Sequence, residues 1–325
     1  MRTASEKLAI IRLVEESELS VRRTLREIRV SRSSFYRWYA AYAQDGLDGL
    51  ENQGGTSRCH WNRIPDSVRA GIVDIALESP DLTPRELAWH ITDTHDYFVS
   101  ESSVYRILKG HDLITSPQFM VMSAADRFQH PTCRVHELWQ TDFTYFRVVG
   151  WGWYFLSTVL DDYSRYIITW RLTTTMAAAD VTGTLEDALK ITGLSEARVR
   201  HKPRLLSDNG PCYISGELKS WLKDRDMEHT RGAPYHPQTQ GKIERYHRSM
   251  KNVIKLEHYY FPWELEKAIA EWVNHYNHER YHESLDNVTP ADVYEGRRND
   301  ILDQRAIIKS RTLNQRKLHN LRLAG

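Results

Sequence analysis

The feature that most narrows the fold of this chain is a change of hydrophobic pattern near Val135. Before it, apolar residues recur at helical spacing. After it comes a stretch rich in aromatic and β-branched residues, broken by Gly150-Trp151-Gly152. A helical N-terminal part and a strand-led C-terminal part therefore share 325 residues, a length too great for one small core.

In the N-terminal part, Leu8, Ile10, Ile11, Leu13 and Val14 predict a helix over 5–17. Ser20 caps a second helix with Val21, Leu25 and Ile28. After a turn at Val30-Ser31, Ser31 caps a third with Phe35, Trp38 and Tyr39 inward. Three short helices with a tight turn before the last form the helix-turn-helix pattern, and Arg32, Ser33, Ser34, Tyr36 and Arg37 then open an outward-facing recognition helix. The competing reading is a small helical bundle with no ligand. A linker rich in glycine and polar residues follows, from Gly46 through Gly49, Gly54, Gly55 and Ser57. The pattern then repeats loosely: a helix over 65–78, one capped by Thr83, and one capped by Ser100 that places Ser102, Tyr105 and Arg106 near an exposed face. Two tandem units suit a protein that reads one long DNA end. The expected boundaries are 1–50 and 63–112 for the two helix-turn-helix domains, with a linker at 51–62 and a connector at 113–134.

The C-terminal part predicts an antiparallel meander of strands over Leu138–Val149, Trp153–Leu160 and Tyr166–Leu172. A helix over 177–191 follows, then a short strand from Pro203 to Ser207, a helix over 215–226 and a fifth strand from Met227 to Thr230. Long helices cover Gln240–Lys255 and Pro262–Asn277. This order predicts an α/β fold with a mixed five-stranded sheet over about 135–295, followed by a basic tail at 296–325.

Composition adds limits. No run approaches the roughly 20 apolar residues of a membrane helix, and the polar N-terminus with Arg2 and Lys7 is unlike a signal peptide. Three scattered cysteines, Cys59, Cys133 and Cys212, make neither a disulfide framework nor a zinc knuckle and fit a reducing cytosol. The net charge of +1 does not advertise nucleic acid, but its distribution does. Lys242, Arg245, Arg248, Lys251 and Lys255 face one acid, Glu244, and a second basic cluster follows Glu295. Such clusters bind phosphates in a near-neutral chain, although a solvated helix face explains either one alone.

Three carboxylates carry the chemistry. Asp142 lies in the first strand, in Trp139-Gln140-Thr141-Asp142. Asp208 directly follows a strand, in Ser207-Asp208-Asn209-Gly210. Glu244 sits one turn into a helix, in Gly241-Lys242-Ile243-Glu244-Arg245. An acid in an apolar strand is costly without a partner. Mg²⁺ or Mn²⁺, which prefer oxygen ligands, partner several such groups at once. Two such ions supply what phosphoryl transfer needs at neutral pH. By analogy with two-metal enzymes, Asp142 bridges the ions, and Asp208 and Glu244 each complete one site.

These words, with thirty-five residues between Asp208 and Glu244 and the run Tyr235-His236-Pro237-Gln238-Thr239-Gln240-Gly241-Lys242-Ile243-Glu244-Arg245, resemble the insertion-sequence transposases with a retroviral-integrase-type catalytic core. A later stretch is similar too: His275-Tyr276-Asn277 through Arg280, His282, Leu285 and Thr289-Pro290. The resemblance covers about 135–295. It implies an RNase H-like fold and metal-dependent cleavage and strand transfer. It also implies water as the first nucleophile, a DNA 3′-hydroxyl as the second, and no covalent protein–DNA intermediate. Gln240 is expected to touch DNA from a loop, and Lys251, two turns beyond Glu244 on the same helix face, to hold a phosphate near the ions. Lys242, Arg245 and Arg248 are weaker DNA contacts. The N-terminus lacks the His-His-Cys-Cys zinc module of retroviral integrases, which favours a bacterial element. The expected setting is a cytoplasmic, nucleoid-associated homo-oligomer on double-stranded DNA, engaging transposon ends and target.

Asp161 and Asp162 rival the three acids. If the hairpin is symmetric, position 159 lies opposite Asp142 and Asp161 shares its face. A structural role is preferred, with Asp161 or Asp162 bonding the turn before Ser164-Arg165. His236 is read as ordering its loop rather than shuttling protons. His275, His278 and His282 match no usual zinc spacing, and the Trp and Tyr of the first strands are read as core. Two other functions stay open: an RNase H-like nuclease, and a catalytically silent DNA-binding regulator.

Overall fold

The computed structural model describes residues 2–17, 19–51, 60–111, 113–114, 132–195, 202–231 and 241–324. The centre of the expected linker with Cys59, most of the expected connector, and the stretch holding His236 and Gln240 lie outside these residues. The chain divides into two units, Met1–Val121 with Asp303–Gly325, and Met122–Leu302.

In the first unit, helices α1 (Ala4–Glu16), α2 (Val21–Glu27) and α3 (Arg32–Gly49) pack around Ile11, Leu25, Phe35 and Leu50. Local chemistry sets their starts. The Thr3 hydroxyl accepts from the Glu6 amide at 3.2 Å while the Glu6 carboxylate accepts from the Thr3 amide at 3.0 Å. The Ser31 hydroxyl accepts from the Ser34 amide at 3.2 Å. Tyr39, expected inward, is 41% exposed. Phe35 already fills this small core, and Tyr39 stacks on its ring from outside at 5.8 Å. Where the linker was expected to begin, α3 breaks at Gly46, whose φ of 64° suits glycine.

Helices α4 (Asp66–Glu78), α5 (Pro84–Thr94) and α6 (Glu101–Gly110) form a second group around Ile72, Leu87, Ile91, Val104 and Ile107. A reciprocal Thr83–Glu86 cap opens α5. The Ser100 hydroxyl accepts from the Ser103 amide to open α6.

The second unit is built on a sheet of order β3-β2-β1-β4-β5, with β1 at Leu138–Val148, β2 at Gly152–Asp161, β3 at Ile167–Thr173, β4 at Arg204–Ser207 and β5 at His229–Arg231. The first three strands are antiparallel, and β1-β4 and β4-β5 are parallel. Helix α7 (Ala178–Ile191) links β3 to β4. The expected single helix before β5 is two, α8 (Pro211–Ile214) and α9 (Gly216–Asp224). The chain is extended at Ser215, whose hydroxyl caps α9 through the Leu218 amide at 3.2 Å. Helices α10 (Gly241–Ile254), α11 (Pro262–His278) and α12 (Pro290–Tyr294) follow.

Each sheet face has its own core. Phe146, Val148, Leu156 and Leu160 pack with Ile243, Tyr246 and Met250 of α10 and with Leu265, Ile269 and Trp272 of α11. Trp139, Val159, Ile168 and Leu205 pack with Val181 and Leu185 of α7 and Leu218 and Leu222 of α9. Each fully buried Leu, Ile or Val contributes about 1.5–3 kcal/mol.

The hairpin register differs from the expected one. The turn centres on Gly150 (φ 82°), so Asp142 faces Thr158 and Asp161 faces Trp139. A one-residue shift moves a side chain to the other face, and Asp161 lies on the face opposite Asp142.

The segment expected as a basic tail is helix α13 (Arg298–Ala324), which from Asp303 onward belongs to the first unit. Arg305, Thr312, Arg316 and Asn320 are buried. Arg305 pairs with Asp93, Thr312 accepts from the Phe98 amide at 3.0 Å, and Asn320 donates to the carbonyls of Trp61 and Arg63 at 2.9 and 3.0 Å. Two cations of the expected basic tail, Arg305 and Arg316, are thus engaged inside the protein.

Candidate active site

Sheet topology brings two of the predicted acids to one level. Gln140 of β1 lies beside Leu206 of β4 in parallel register. Two residues further along each chain come Asp142 and Asp208, just past the last pair of the β4 ladder. Asp142 stays on β1, which continues as an open edge. Asp208 leaves β4 into a turn in which its Oδ1 accepts from the Gly210 amide at 2.9 Å. The Asp208 carboxyl is held above the usual carboxylate range, first by burial and then by the Asp142 charge, against the Gly210 bond. The two acids therefore repel each other.

Helix α10 brings the third. Ile243, Tyr246, Met250 and Ile254 face the core. The adjoining stripe of Glu244, His247, Arg248, Lys251 and Lys255 lines a cleft of about 570 Å³ together with Asp142. Positions three, four, seven and eleven beyond Glu244 share one helix face. Lys251, half-buried, has its ammonium pKa lowered by burial and by Lys255.

The rotation of α10 is fixed by a polar network. The Gln140 side chain accepts from the Ile243 amide at 3.2 Å and donates to Asp162 Oδ1 at 2.6 Å. Lys242 Nζ donates to the Asp162 carboxylate at 2.5 Å and to its carbonyl at 2.9 Å. Thr132 donates to Asp162 Oδ2 at 2.6 Å. Lys242 and Asp162 are 8% and 6% exposed. The prediction that Lys242 touches DNA is therefore corrected, because its ammonium is buried in an ion pair. Asp161 has the turn role, accepting from the Ser164 amide and hydroxyl at 2.9 and 2.7 Å.

Sequence reasoning also missed His247. Its Nδ1 lies 3.3 Å from Asp142 Oδ2, and its Nε2 is buried with no protein partner among the described residues. Its position three beyond Glu244 on one helix was the available signal. Gln140 gave none, and Asp162, singled out beside Asp161, could not be tied to α10, since these residues meet only through the fold.

Of the remaining predicted contacts, Arg248 and Lys251 lie on the cleft, whereas Arg245 lines a separate cavity with Arg165 and Arg280. Arg32, Ser33, Tyr36 and Arg37 are exposed at the start of α3, and Ser34 is half-buried. On α6, Ser102 and Arg106 are exposed and Tyr105 is half-buried, with Arg106 Nε donating to the Ser102 carbonyl at 3.0 Å. Gln240 lies outside the described residues.

The donor set fits a hard divalent cation in kind: carboxylate oxygens, two of which repel each other in a way a cation would relieve. Among the described residues, however, no three His, Cys, Asp or Glu side chains are gathered closely enough to hold one ion. The Asp142 charge is felt at Asp208 as repulsion, and Asp142 shares the cleft with Glu244.

Residues 133–237 and 225–290 match integrase core domain families, and 1–51 and 34–108 match homeodomain-like domain families. The transposase for insertion sequence element IS629 of Shigella sonnei is 29% identical over 190 residues, covering 57% of this chain and 62% of that protein. The Gag-Pro-Pol polyprotein of mouse mammary tumor virus (strain BR6) is 31% identical over 144 residues, 43% of this chain and 8% of the polyprotein. The chain thus spans less than two thirds of either relative. Among solved structures, the HTLV-2 integrase catalytic core domain in complex with magnesium aligns at 19% identity and a TM-score of 0.39, over 50% of this chain and 97% of that one. Among the described residues no helix is long and apolar enough to cross a membrane.

Proposed function

We propose that this chain, whose residues match integrase core and homeodomain-like domain families, is a DNA transposase that cleaves its element's ends and joins their 3′-hydroxyls to target DNA. The observation that carries this reading is the meeting of Asp142 with Glu244 in one cationic cleft, while Asp142 also raises the Asp208 carboxyl.

In this reading Asp142, Asp208 and Glu244 hold two divalent cations, Mg²⁺ or Mn²⁺. When bound, these activate the attacking oxygen and relieve charge on the leaving oxygen. The protein's own groups do the rest. His247 orients the Asp142 carboxylate through its Nδ1. The Gln140–Asp162–Lys242 network sets the face that Glu244 presents to the cleft. Arg248 and Lys251 hold the strand's phosphates beside the acids. Water attacks first and a DNA 3′-hydroxyl second, with no bond from protein to DNA. The exposed starts of α3 and α6 read the element's end, and the protein works as a homo-oligomer on DNA, in the bacterial cytoplasm at the nucleoid.

The test uses terminal inverted repeats from the DNA flanking the coding region, with Asp208→Asn and Glu244→Gln. The expected result is cleavage reduced to background and end binding nearly intact. Cleavage by either variant at the normal rate would falsify the assignment. Metal-independent end binding with no cleavage by the wild-type protein would make it a silent regulator instead.

A further inference from the structure

Tyr145 and Trp153 were expected in the core, yet they stand 49% and 53% exposed. The cause is geometric. Tyr145 pairs with Phe155 across the hairpin, and Arg147 pairs with Trp153. All four lie on the sheet face whose other half is covered by α7 and α9, around Trp139 and Val159. The hairpin runs beyond that cover. Its outer end keeps Tyr145, Arg147 and Trp153 in solvent, with Trp151 60% exposed in the turn. Among the described residues, neither Tyr145 nor Trp153 belongs to the core on either face of the sheet.

The rings are ordered among cations. Tyr145 and Trp153 meet edge to face, with centroids 5.4 Å apart. Lys251 Nζ sits 4.5 Å from the Tyr145 ring centre and Lys255 Nζ 5.8 Å from it, distances at which ammonium and ring attract. Both lysines also line the cleft that holds Asp142 and Glu244. The same ammonium groups therefore border the acids on one side and the aromatic pair on the other. Arg147, exposed and directly across from Trp153, adds a third cation.

We infer that Tyr145 and Trp153, flanked by Arg147, Lys251 and Lys255, form a stacking platform for an unpaired nucleobase of the DNA strand that enters the cleft. The inference rests on the reading of the cleft as a DNA-processing site. The chemistry is that of single-strand binding surfaces, where aromatic faces take bases of any sequence and neighbouring cations follow the phosphates. A purely apolar partner would offer nothing to the cations around the rings; a nucleotide supplies both the ring and the anion. A strand must part from its complement near the scissile phosphate for this contact to form, so the platform would favour frayed or tailed ends over blunt ones.

The experiment uses the full chain and a short duplex with a single-stranded tail carrying 2-aminopurine, beside the same duplex with a blunt end, at low salt. With the wild-type protein, 2-aminopurine fluorescence in the tail is expected to be quenched, and the tailed duplex to bind more tightly than the blunt one. Trp153→Leu is expected to lose most of the quenching and to weaken tailed-duplex binding about tenfold, leaving blunt-duplex binding unchanged. Trp153→Phe, which keeps a ring, should recover most of both. Unaltered quenching in Trp153→Leu, or equal weakening on both duplexes, overturns the platform while leaving the transposase reading intact. A changed sedimentation coefficient in Trp153→Leu with quenching retained also overturns it and assigns the face to a protein contact. Failure of the wild-type protein to bind either duplex overturns both readings.

Discussion

The Lys242 ammonium is bonded to both the carboxylate and the main-chain carbonyl of Asp162, eighty positions away in sequence. The pair is nearly sealed from solvent, and Lys242 lies two residues before Glu244. Removing one member of such a pair leaves a buried charge unpaired, which costs about 3–5 kcal/mol. Lys242→Met should therefore lose about that much stability in denaturant unfolding. Asp162→Asn with Lys242→Gln, a neutral hydrogen-bonded pair, should recover most of it. Hydrogen exchange at the Ile243 amide, which donates to Gln140, should quicken in Lys242→Met. Unchanged stability in that variant would mean the pair contributes nothing.

His247 touches Asp142 and is not a member of the predicted acid set. His247→Ala should lower kcat about ten- to a hundredfold with little change in KM for the DNA end. His247→Asn, which keeps a donor near the Nδ1 position, should recover part of the loss. Equal loss in both variants would point to packing alone. Single-turnover cleavage with metal in excess provides the measurement.

The Asp208 carboxyl is raised above its ordinary value by burial and by Asp142. A carboxyl whose folded pKa exceeds its unfolded pKa is penalised when charged. The penalty is absent below the unfolded value, grows as pH rises through the folded value, and persists at neutrality. Asp208→Asn should therefore melt higher than wild type in metal-free buffer at neutral pH, and the advantage should vanish in acid. Added Mg²⁺ should raise the wild-type Tm through binding to the native state and leave the variant almost unmoved. A variant that melts no higher than wild type at neutral pH contradicts the repulsion.

From Asp303 onward, helix α13 is part of the first unit. Arg316, 4% exposed, donates to the Phe98 carbonyl at 2.5 Å and to the Tyr97 hydroxyl at 2.7 Å. Arg316→Ala should strand the Phe98 carbonyl and cost about 1–3 kcal/mol. The effect should appear as faster hydrogen exchange over residues 93–98. Ending the chain before Asp303 should have a larger effect of the same kind and should reduce DNA-end binding. Normal exchange at 93–98 in the truncated chain would show that the helix is dispensable.

Much of this architecture was written locally. Thr3, Ser31, Thr83 and Ser100 sit at helix starts because a hydroxyl before an apolar period satisfies backbone donors wherever it occurs. The strand order of the meander follows from alternating residues around the Gly150 turn. The register did not follow, because placing the turn centre half a residue away reverses every face. That half residue separated Asp161 from the face of Asp142. Tyr145 and Trp153 were misread as core because composition cannot say how far a covering helix extends. The basic residues of α13 were misread as a tail because a buried polar stripe of Arg305, Thr312, Arg316 and Asn320 has no apolar period to announce it.

The sequence by itself determined the strands, most of the helices and the spacing of three acids, since these depend on residues close together along the chain or on short words. Tertiary structure alone decided which cation stays free for a ligand and which carboxylate it meets. Lys242 and Lys251 read alike in sequence, yet one is buried against Asp162 and the other borders the cleft. The cost of burying a charge depends on what the fold places beside it, and residues eighty apart become neighbours only when the sheet and α10 close together.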